Sequence, residues 1–576
     1  MATQNPGAGP RHFYTHERNH QILIALLKAH GIRNVVASPG VANSVFVGSL
    51  QNDGFFRIVS SVDERSAAYI ACGMALETGE PVVITCTGAT AARNYMPGAT
   101  EAYYAKLPIL IVTSSQPGSR LGHLVPQVTD RMRPPSDVCR LSLTIPNVRT
   151  PDDEWECEVA VNRALLELRR HGGGPVHLNL TITYSYNEET ALTCRELPPA
   201  RVIRRIEAGQ AMPEIAKGKI GIFVGSHKPM PEELERCIDR FCETNNAAVF
   251  TDHTSNYNGR YKIPFALGIN QSPLNKANRP AYEVDLLIHI GEVSGEEGAP
   301  RMIKSRETWR VSEDGELRDT FRNLSCVFEM PESAFFGYYA QGEAQGVPYY
   351  EECKASYDRW MSELRKRMDS MPFSNVWVAQ QLAPAVPEDS TVVLSILNTL
   401  RTWNYAEFKD SVRVFCPVGG FGIDGATSMA LGASLGAPMR PHYCITGDLA
   451  FFYDLNALGN RHVGGNLRVL LVNNGLGFEF RKSYSMAYKL LENEVTEFVA
   501  AQGHFGRQSP ALVRHYAEDL GFTYLSARNK EEFTSAMAAF TSETVDKPML
   551  FEVFVTPEDE CTALDLAHDR KPTKAG

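Results

Sequence analysis

Helix-spaced and strand-length apolar runs alternate along this chain in three successive blocks, and no other feature constrains its fold as tightly. In residues 1–195, QILIALLKAHG has helical spacing, NVVASPG reads as a strand ending in a turn, and DERSAAYIACGMALETG as a second helix. PVVITCTG, AARNYMPGATEAYYAK and LPILIVTSS continue as strand, helix and strand. Leu197-Pro198-Pro199-Ala200 reads as a linker. The alternation resumes in residues 200–345 with KIGIFVGS, PEELERCIDRFCETN, AAVFTDH and VDLLIHIGE. QGEAQGVPYYEE and MPFSN suggest a boundary, and TVVLSI, HYCITGD and VLLVNN are strands of a third block, residues 370–560. The expected fold class is α/β: three consecutive domains with parallel sheets. A chain of 576 residues exceeds a single core in any case. The polar stretch from Pro557, with 561–576 as the tail proper, is expected to be a loosely packed arm.

In the third block Gly447-Asp448 and Asn473-Asn474 flank a strand–helix–strand pattern, with CITGD ending one strand, DLNALGNRH as helix and LRVLLVNN as the next strand. Such a unit brings Asp448 and Asn474, 26 residues apart, to the carboxyl edge of a parallel sheet, where these folds bind ligands. A carboxylate and an amide carbonyl are hard oxygen ligands. They suit a Mg²⁺ that completes its shell with water and phosphate oxygens.

Composition narrows the rest. A net charge of −10 without a dense basic run argues against a nucleic-acid partner. Twelve cysteines lack CxxC spacing, Cys237 and Cys242 being the closest pair, which favours reduced thiols over a metal or disulfide framework. The opening MATQNPGAGPRHFYTHERNHQ has no apolar h-region, and the longest apolar runs are strand-length. A cytoplasmic protein outside the membrane is the expectation.

Val62-Asp63-Glu64-Arg65-Ser66-Ala67-Ala68 marks a strand giving way to a helix. Alone, its two acids would be read as helix caps complementing the dipole. Their company is CTGATAARNYMPGATEA, then Gly419-Gly420-Phe421-Gly422-Ile423-Asp424-Gly425 ahead of Gly447-Asp448-Leu449. With SPG near residue 38 and DLNAL after GDL, this set resembles the thiamine-diphosphate-dependent 2-oxo-acid decarboxylases and carboligases, across pyrimidine-binding, central and pyrophosphate-binding domains. Within that superfamily it is most similar to the branch containing the menaquinone-pathway SEPHCHC synthases.

The resemblance implies roles. Glu64 would hydrogen-bond the cofactor's aminopyrimidine and promote the imino tautomer that generates the nucleophilic ylid. Asp448, Asn474 and the Leu476 carbonyl would hold Mg²⁺. Ile423 would be the apolar wedge that bends the cofactor, its plain alternative being a core residue. Gly419, Gly420 and Gly422 would allow close backbone approach, with Gly447 and Leu449 beside the diphosphate. Gln127 matches a position where the family places an active-site glutamine. His123 could move protons, although a lone loop histidine is more often structural. Glu64 and Asp448 belong to different domains but one cofactor, which the family solves with active sites at a subunit interface. A homodimer or homotetramer is therefore implied.

The substrate end departs from the branch. Val41-Ala42, Gln116, Val418 and Trp403 stand where that branch carries Ser-Arg and three further arginines, although Arg401 lies near the last. Arginines suit carboxylates because their fork is bidentate. Their loss argues against 2-oxoglutarate and isochorismate as the substrate pair. Asn398, Thr399 and Arg401 are candidates for the substrate side, and Phe478, Phe480 and Arg481 for a covering segment. The reading that follows is decarboxylation of a small, pyruvate-like 2-oxo acid with transfer of its acyl-anion equivalent to an acceptor. Alternatives are an acetolactate-synthase-type enzyme or a simple decarboxylase, which would have paired histidines. GIFVGS in the central block lacks the GxGxxG spacing of a nucleotide site. From other classes, a Rossmann-type oxidoreductase is invited by GGFGIDG, which lacks the acidic ribose partner. A non-catalytic cofactor-binding relative would not need Glu64.

Overall fold

The computed structural model describes residues 13–570 except 132, 216, 271–281, 297, 483, 505–508 and 543–545. The chain divides into two compact units, residues 1–207 with 316–327, and residues 208–315 with 328–576. Among the described residues no helix is long and apolar enough to cross a membrane, and all twelve cysteines are unbridged.

The first unit is built on β1 (Asn34–Ala37), β2 (Arg57–Ser60), β3 (Val82–Thr87), β4 (Ile109–Ser115), β5 (Leu141–Ile145) and β6 (Val176–Thr181). They form a parallel sheet in the order β2-β1-β3-β4-β6-β5. Strand side chains alternate faces, and both faces are apolar. Val35, Val83 and Leu110 pack under the helices Arg18–Ala29 and Pro151–Glu167. Val36, Ile84 and Ile111 face the helices Glu64–Thr78 and Met96–Tyr104. Small residues let the last two helices meet closely: a Cβ on Gly98 would lie 2.5 Å from that of Ala68. The helix expected over AARNYMPGATEAYYAK is two pieces, Thr90–Asn94 and Met96–Tyr104, because Pro97 can occupy only the first turn of a helix.

Beyond β7 (Arg204–Glu207), the second unit begins with β8 (Ile220–Val224), β9 (Ala247–Thr251), β10 (Lys262–Pro264), β11 (Glu283–Ile290) and β12 (Lys304–Val311). These run parallel as β10-β9-β8-β11-β12, and β13 (Leu324–Glu329) spans the boundary between the units. The boundary stretch QGEAQGVPYYEE leads into a helix, Pro348–Arg367.

The third sheet contains β14 (Thr391–Leu394), β15 (Arg413–Phe415), β16 (His442–Gly447), β17 (Leu467–Asn473), β18 (Thr523–Ala527) and β19 (Met549–Phe554), all parallel, in the order β15-β14-β16-β17-β19-β18. That is the strand order of the first sheet repeated. Three parallel α/β sheets are thus present, as the alternation implies. The loosely packed arm is not. Residues Pro557–Ala567 are a helix capped by Thr556, with Glu560, Ala563, Leu564 and Ala567 buried. Its polarity misleads because the polar groups are satisfied inside: Glu560 accepts from the Asn375 backbone N–H at 2.9 Å, and His568 lies 2.9 Å from the Tyr405 hydroxyl. Residues 571–576 of the tail lie outside the described residues.

Candidate active site

The register of β16 on β17 pairs Gly447 with Val472, so the two residues that follow these strands, Asp448 and Asn474, emerge side by side. The helix expected over DLNALGNRH starts earlier, at Asp448, and runs to Tyr453, followed by a tight turn of helix over Leu455–Gly459. Both side chains are buried, at 5% exposure. The Asp448 carboxylate accepts from the Leu449 N–H at 2.8 Å and from the Gly475 N–H at 2.5 Å. The Asn474 carbonyl accepts from the Leu476 N–H at 3.3 Å. Gly475 makes this turn with φ of +79°, a conformation that favours glycine.

These residues line a cavity of about 170 Å³ with Ile423, Leu449, Leu476 and Gly447. Four sequence candidates from three segments therefore share one pocket with the metal pair. Oxygen donors already fixed by backbone N–H groups suit a small hard cation, which tolerates little geometric error. Among the described residues no group of three or more His, Cys, Asp or Glu gathers as a metal cage. A cation at Asp448 would draw on amide, backbone and ligand oxygens instead.

The glycines divide. A Cβ on Gly419, Gly420 or Gly447 would meet nothing within 4 Å, whereas one on Gly422 would lie 2.1 Å from the Asp424 carboxylate. Gly419, Gly420 and Gly422 are not in the cavity wall, and Gly422 is explained by its own turn. GGFGIDG lies in the loop between β15 and the helix Ala426–Gly436.

Asn398, Thr399, Phe478, Glu479 and Phe480 also line the cavity, while Arg401 and Arg481 do not. The Arg481 guanidinium stacks on Tyr488 at 5.2 Å. Arg401 is ion-paired to Glu479, whose other oxygen takes the Lys482 ammonium at 2.7 Å. Close by, burial pushes the Glu296 carboxyl up to about 7, with Arg401 and Lys482 opposing that shift and Asp252 adding to it. Trp403 is a core residue whose indole donates to Asn375 at 3.0 Å, and Val418 is likewise buried. The Glu479 network escaped the sequence reading: GFEF shows an acid among aromatics, but nothing local announces its partners.

In the first unit, Asp63 caps its helix, accepting from the Arg65 N–H at 3.0 Å and the Ser66 hydroxyl at 2.9 Å. Glu64 is the first helical residue and is half-buried. Its carboxylate accepts from the Asn94 amide at 3.1 Å. Asn94 ends the helix Thr90–Asn94 within the ARNYMP stretch, and nothing in its local sequence announces this partnership. His123 and Gln127 are exposed, Gln127 with φ of +63°. Among the described residues neither hydrogen-bonds Glu64. Gln116 holds the guanidinium of Arg120, while Val41 is exposed and Ala42 buried.

Comparison with known proteins identifies the family. Residues 18–133 match the thiamine pyrophosphate enzyme N-terminal TPP-binding domain, and residues 398–553 the C-terminal TPP-binding domain. A 2-succinyl-5-enolpyruvyl-6-hydroxy-3-cyclohexene-1-carboxylate synthase (SEPHCHC synthase) of Phocaeicola vulgatus is 30% identical, the match covering 96% of this chain and 98% of that protein. Enzymes of the same name from Bacteroides thetaiotaomicron and Desulfotalea psychrophila are 29% and 25% identical, over 97% and 92% of this chain and 100% and 96% of theirs. The chain is an enzyme of the thiamine-diphosphate-dependent superfamily and belongs to its SEPHCHC synthase branch.

Proposed function

We propose that this enzyme, with thiamine diphosphate and Mg²⁺, decarboxylates a small 2-oxo acid and passes the acyl-anion equivalent to an acceptor. The observation that carries the reading is the cavity at the carboxyl edge of the third sheet, which gathers Asp448, Asn474, Leu476 and Ile423. When bound, the cofactor supplies a nucleophilic carbon and an electron sink for the carboxylate carbon–carbon bond. The protein's part is binding and orientation. Asp448 and Asn474 would present oxygens to Mg²⁺, Ile423 would support the ring system, and Glu64, held by Asn94, would accept a hydrogen bond from the aminopyrimidine. Phe478 and Phe480 would screen the reacting carbon from water. In this reading the first sheet is the pyrimidine-binding domain and the third the pyrophosphate-binding domain.

Carboligation is favoured over acetolactate synthesis or plain decarboxylation because the relatives named above are of a ligating branch, and His123 is a lone exposed histidine. The pair 2-oxoglutarate and isochorismate is disfavoured by buried Val418 and Trp403 at two arginine positions. We also propose a homodimer or homotetramer. Tyr69, Ile70 and Leu76 are exposed on the helix that begins with Glu64, as are Met429 and Leu435 on the corresponding helix of the third sheet. Exposed apolar patches of this kind mark association surfaces.

The test is CO₂ release from a panel of 2-oxo acids with thiamine diphosphate and Mg²⁺. Cofactor-dependent release from one acid supports the reading and names the donor. No release from any acid, with and without candidate acceptor carbonyls, contradicts it.

A further inference from the structure

The helix Ala426–Gly436 follows the GGFGIDG loop, and its N-cap position is Gly425, which has no side chain to cap with. Gly425 is held at φ of +106°, a conformation that disfavours the serine, threonine or aspartate found at most caps. The first N–H groups of the helix still need acceptors. Asp454 supplies one from 26 residues away: one carboxylate oxygen accepts from the Ser428 N–H at 2.6 Å, the other from the Ser428 hydroxyl at 2.5 Å. Asp454 is buried and closes the helix Asp448–Tyr453, its own N–H lying 3.2 Å from both the Ala450 and the Phe451 carbonyls. A carboxylate that takes two hydrogen bonds at the positive end of a helix dipole is a strong clamp. It joins two segments that meet at the cavity. Ile423 lies just before the clamped helix, and Asp448 and Leu449 begin the helix that Asp454 closes.

We propose that Asp454 is a positioning residue for this cavity: it fixes Ile423 relative to the Asp448–Asn474 pair, so that one ligand meets the apolar side chain and the oxygen donors together. This rests on the reading of the cavity as the thiamine diphosphate site. A cofactor with a ring system at one end and a diphosphate at the other senses the separation of the two segments. Inorganic diphosphate reaches only the oxygen donors and does not sense it. Asp454 is not in the cavity wall, so its effect comes through alignment and not through contact. Asparagine in its place can keep both bonds, its amide oxygen accepting from the Ser428 N–H and its amide nitrogen donating to the hydroxyl. Alanine removes both.

The experiment titrates thiamine diphosphate, and separately inorganic diphosphate, into the whole chain with Mg²⁺ by calorimetry. It compares wild type, Asp454→Ala and Asp454→Asn. Asp454→Ala should bind thiamine diphosphate at least about 10-fold more weakly, the scale of hydrogen bonds lost from a charged group. Inorganic diphosphate should bind all three alike, and Asp454→Asn should recover most of the loss. Unaltered thiamine diphosphate affinity in Asp454→Ala overturns the proposal. An equal loss of both ligands also overturns it, because that would be general damage to the pocket. If Asp454→Ala does not fold, Ser428→Ala removes the hydroxyl half of the clamp and must weaken thiamine diphosphate alone; no effect there overturns the proposal. Amide hydrogen exchange of the free proteins separates this role from the cofactor reading. Residues 423–428 should exchange faster in Asp454→Ala than in wild type, and equal rates overturn the proposal. Faster exchange, in a chain whose wild type binds neither ligand, would keep Asp454 as the residue that fixes Ile423 and remove the proposed cofactor.

Discussion

The first and third sheets share one strand order and differ in what fills their carboxyl edges. After β3 the chain turns at Gly88, and the space beside it is taken by the Arg131 guanidinium, 2.5 Å from where a Cβ would be. That guanidinium is tied to Asn179 at 2.8 Å and to the Thr129 carbonyl at 3.3 Å. At the end of β16, a Cβ on Gly447 would meet nothing within 4 Å. After β4 comes Gln116, occupied by Arg120; after β17 comes Asn474, facing the cavity. One edge is plugged by the protein's own cation and the other is lined with oxygen donors and left open. A shared topology supplies the crevice, but the residues that end the strands decide whether it holds a ligand.

The comparison can be broken most severely at Glu64, the residue that gives the plugged sheet its proposed part in catalysis. Glu64→Gln should lower turnover by roughly 10²–10⁴-fold, the range for a lost proton-transfer partner, while thiamine diphosphate still binds through the third sheet. Steady-state CO₂ release beside a cofactor titration checks both halves. Full activity in the variant would leave the first sheet with a structural role alone.

The two sheets also carry mirrored buried acids. Glu17, just before the first helix, accepts from the Thr183 N–H beyond β6, and Glu560, beyond β19, accepts from the first residue of the helix Asn375–Leu382. Burial raises both carboxyls, that of Glu560 to about 7 from an ordinary 4.5. The folded state thus holds these protons longer than the unfolded chain. The stability that Glu560 contributes in this way is complete below pH 4.5 and is lost as pH rises towards 7. For Glu560 the loss is on the order of 3 kcal/mol. Denaturant titrations of Glu560→Gln should show a flatter pH dependence over that window, and Glu17→Gln a smaller flattening. An unchanged slope in both would mean that these acids ionise normally in the fold.

The smallest effect separates the two edges directly. Gly88→Ala should destabilise the fold by about 1 kcal/mol, because Arg131 must leave its place. Gly447→Ala should leave melting of the free protein unchanged and weaken thiamine diphosphate binding. Equal behaviour of the two variants in both assays would erase the distinction between a plugged and an open edge.

Much of this was legible in the chain. The alternation of helical and strand runs specifies parallel sheets, and a strand–helix–strand spacing brings Asp448 to Asn474 because consecutive parallel strands place their ends together. Periodicity has no access to pairings between distant segments. Arg131 with Asn179, and Arg401 with Glu479, are 48 and 78 residues apart, and neither pair leaves a local signature. The polarity of the segment after Pro557 suggests a solvated arm, whereas Glu560 is buried and hydrogen-bonded. His123 and Gln127 rest on resemblance alone, since a loop holds them at the surface of their unit.

The most direct test of an open, oxygen-lined third-sheet edge is calorimetric titration of thiamine diphosphate into wild type and Asp448→Asn, each with and without Mg²⁺. The account predicts tight binding only for wild type with Mg²⁺, and a loss of at least about 100-fold in Asp448→Asn. Equal affinity in the two proteins, or wild-type binding indifferent to Mg²⁺, would contradict it.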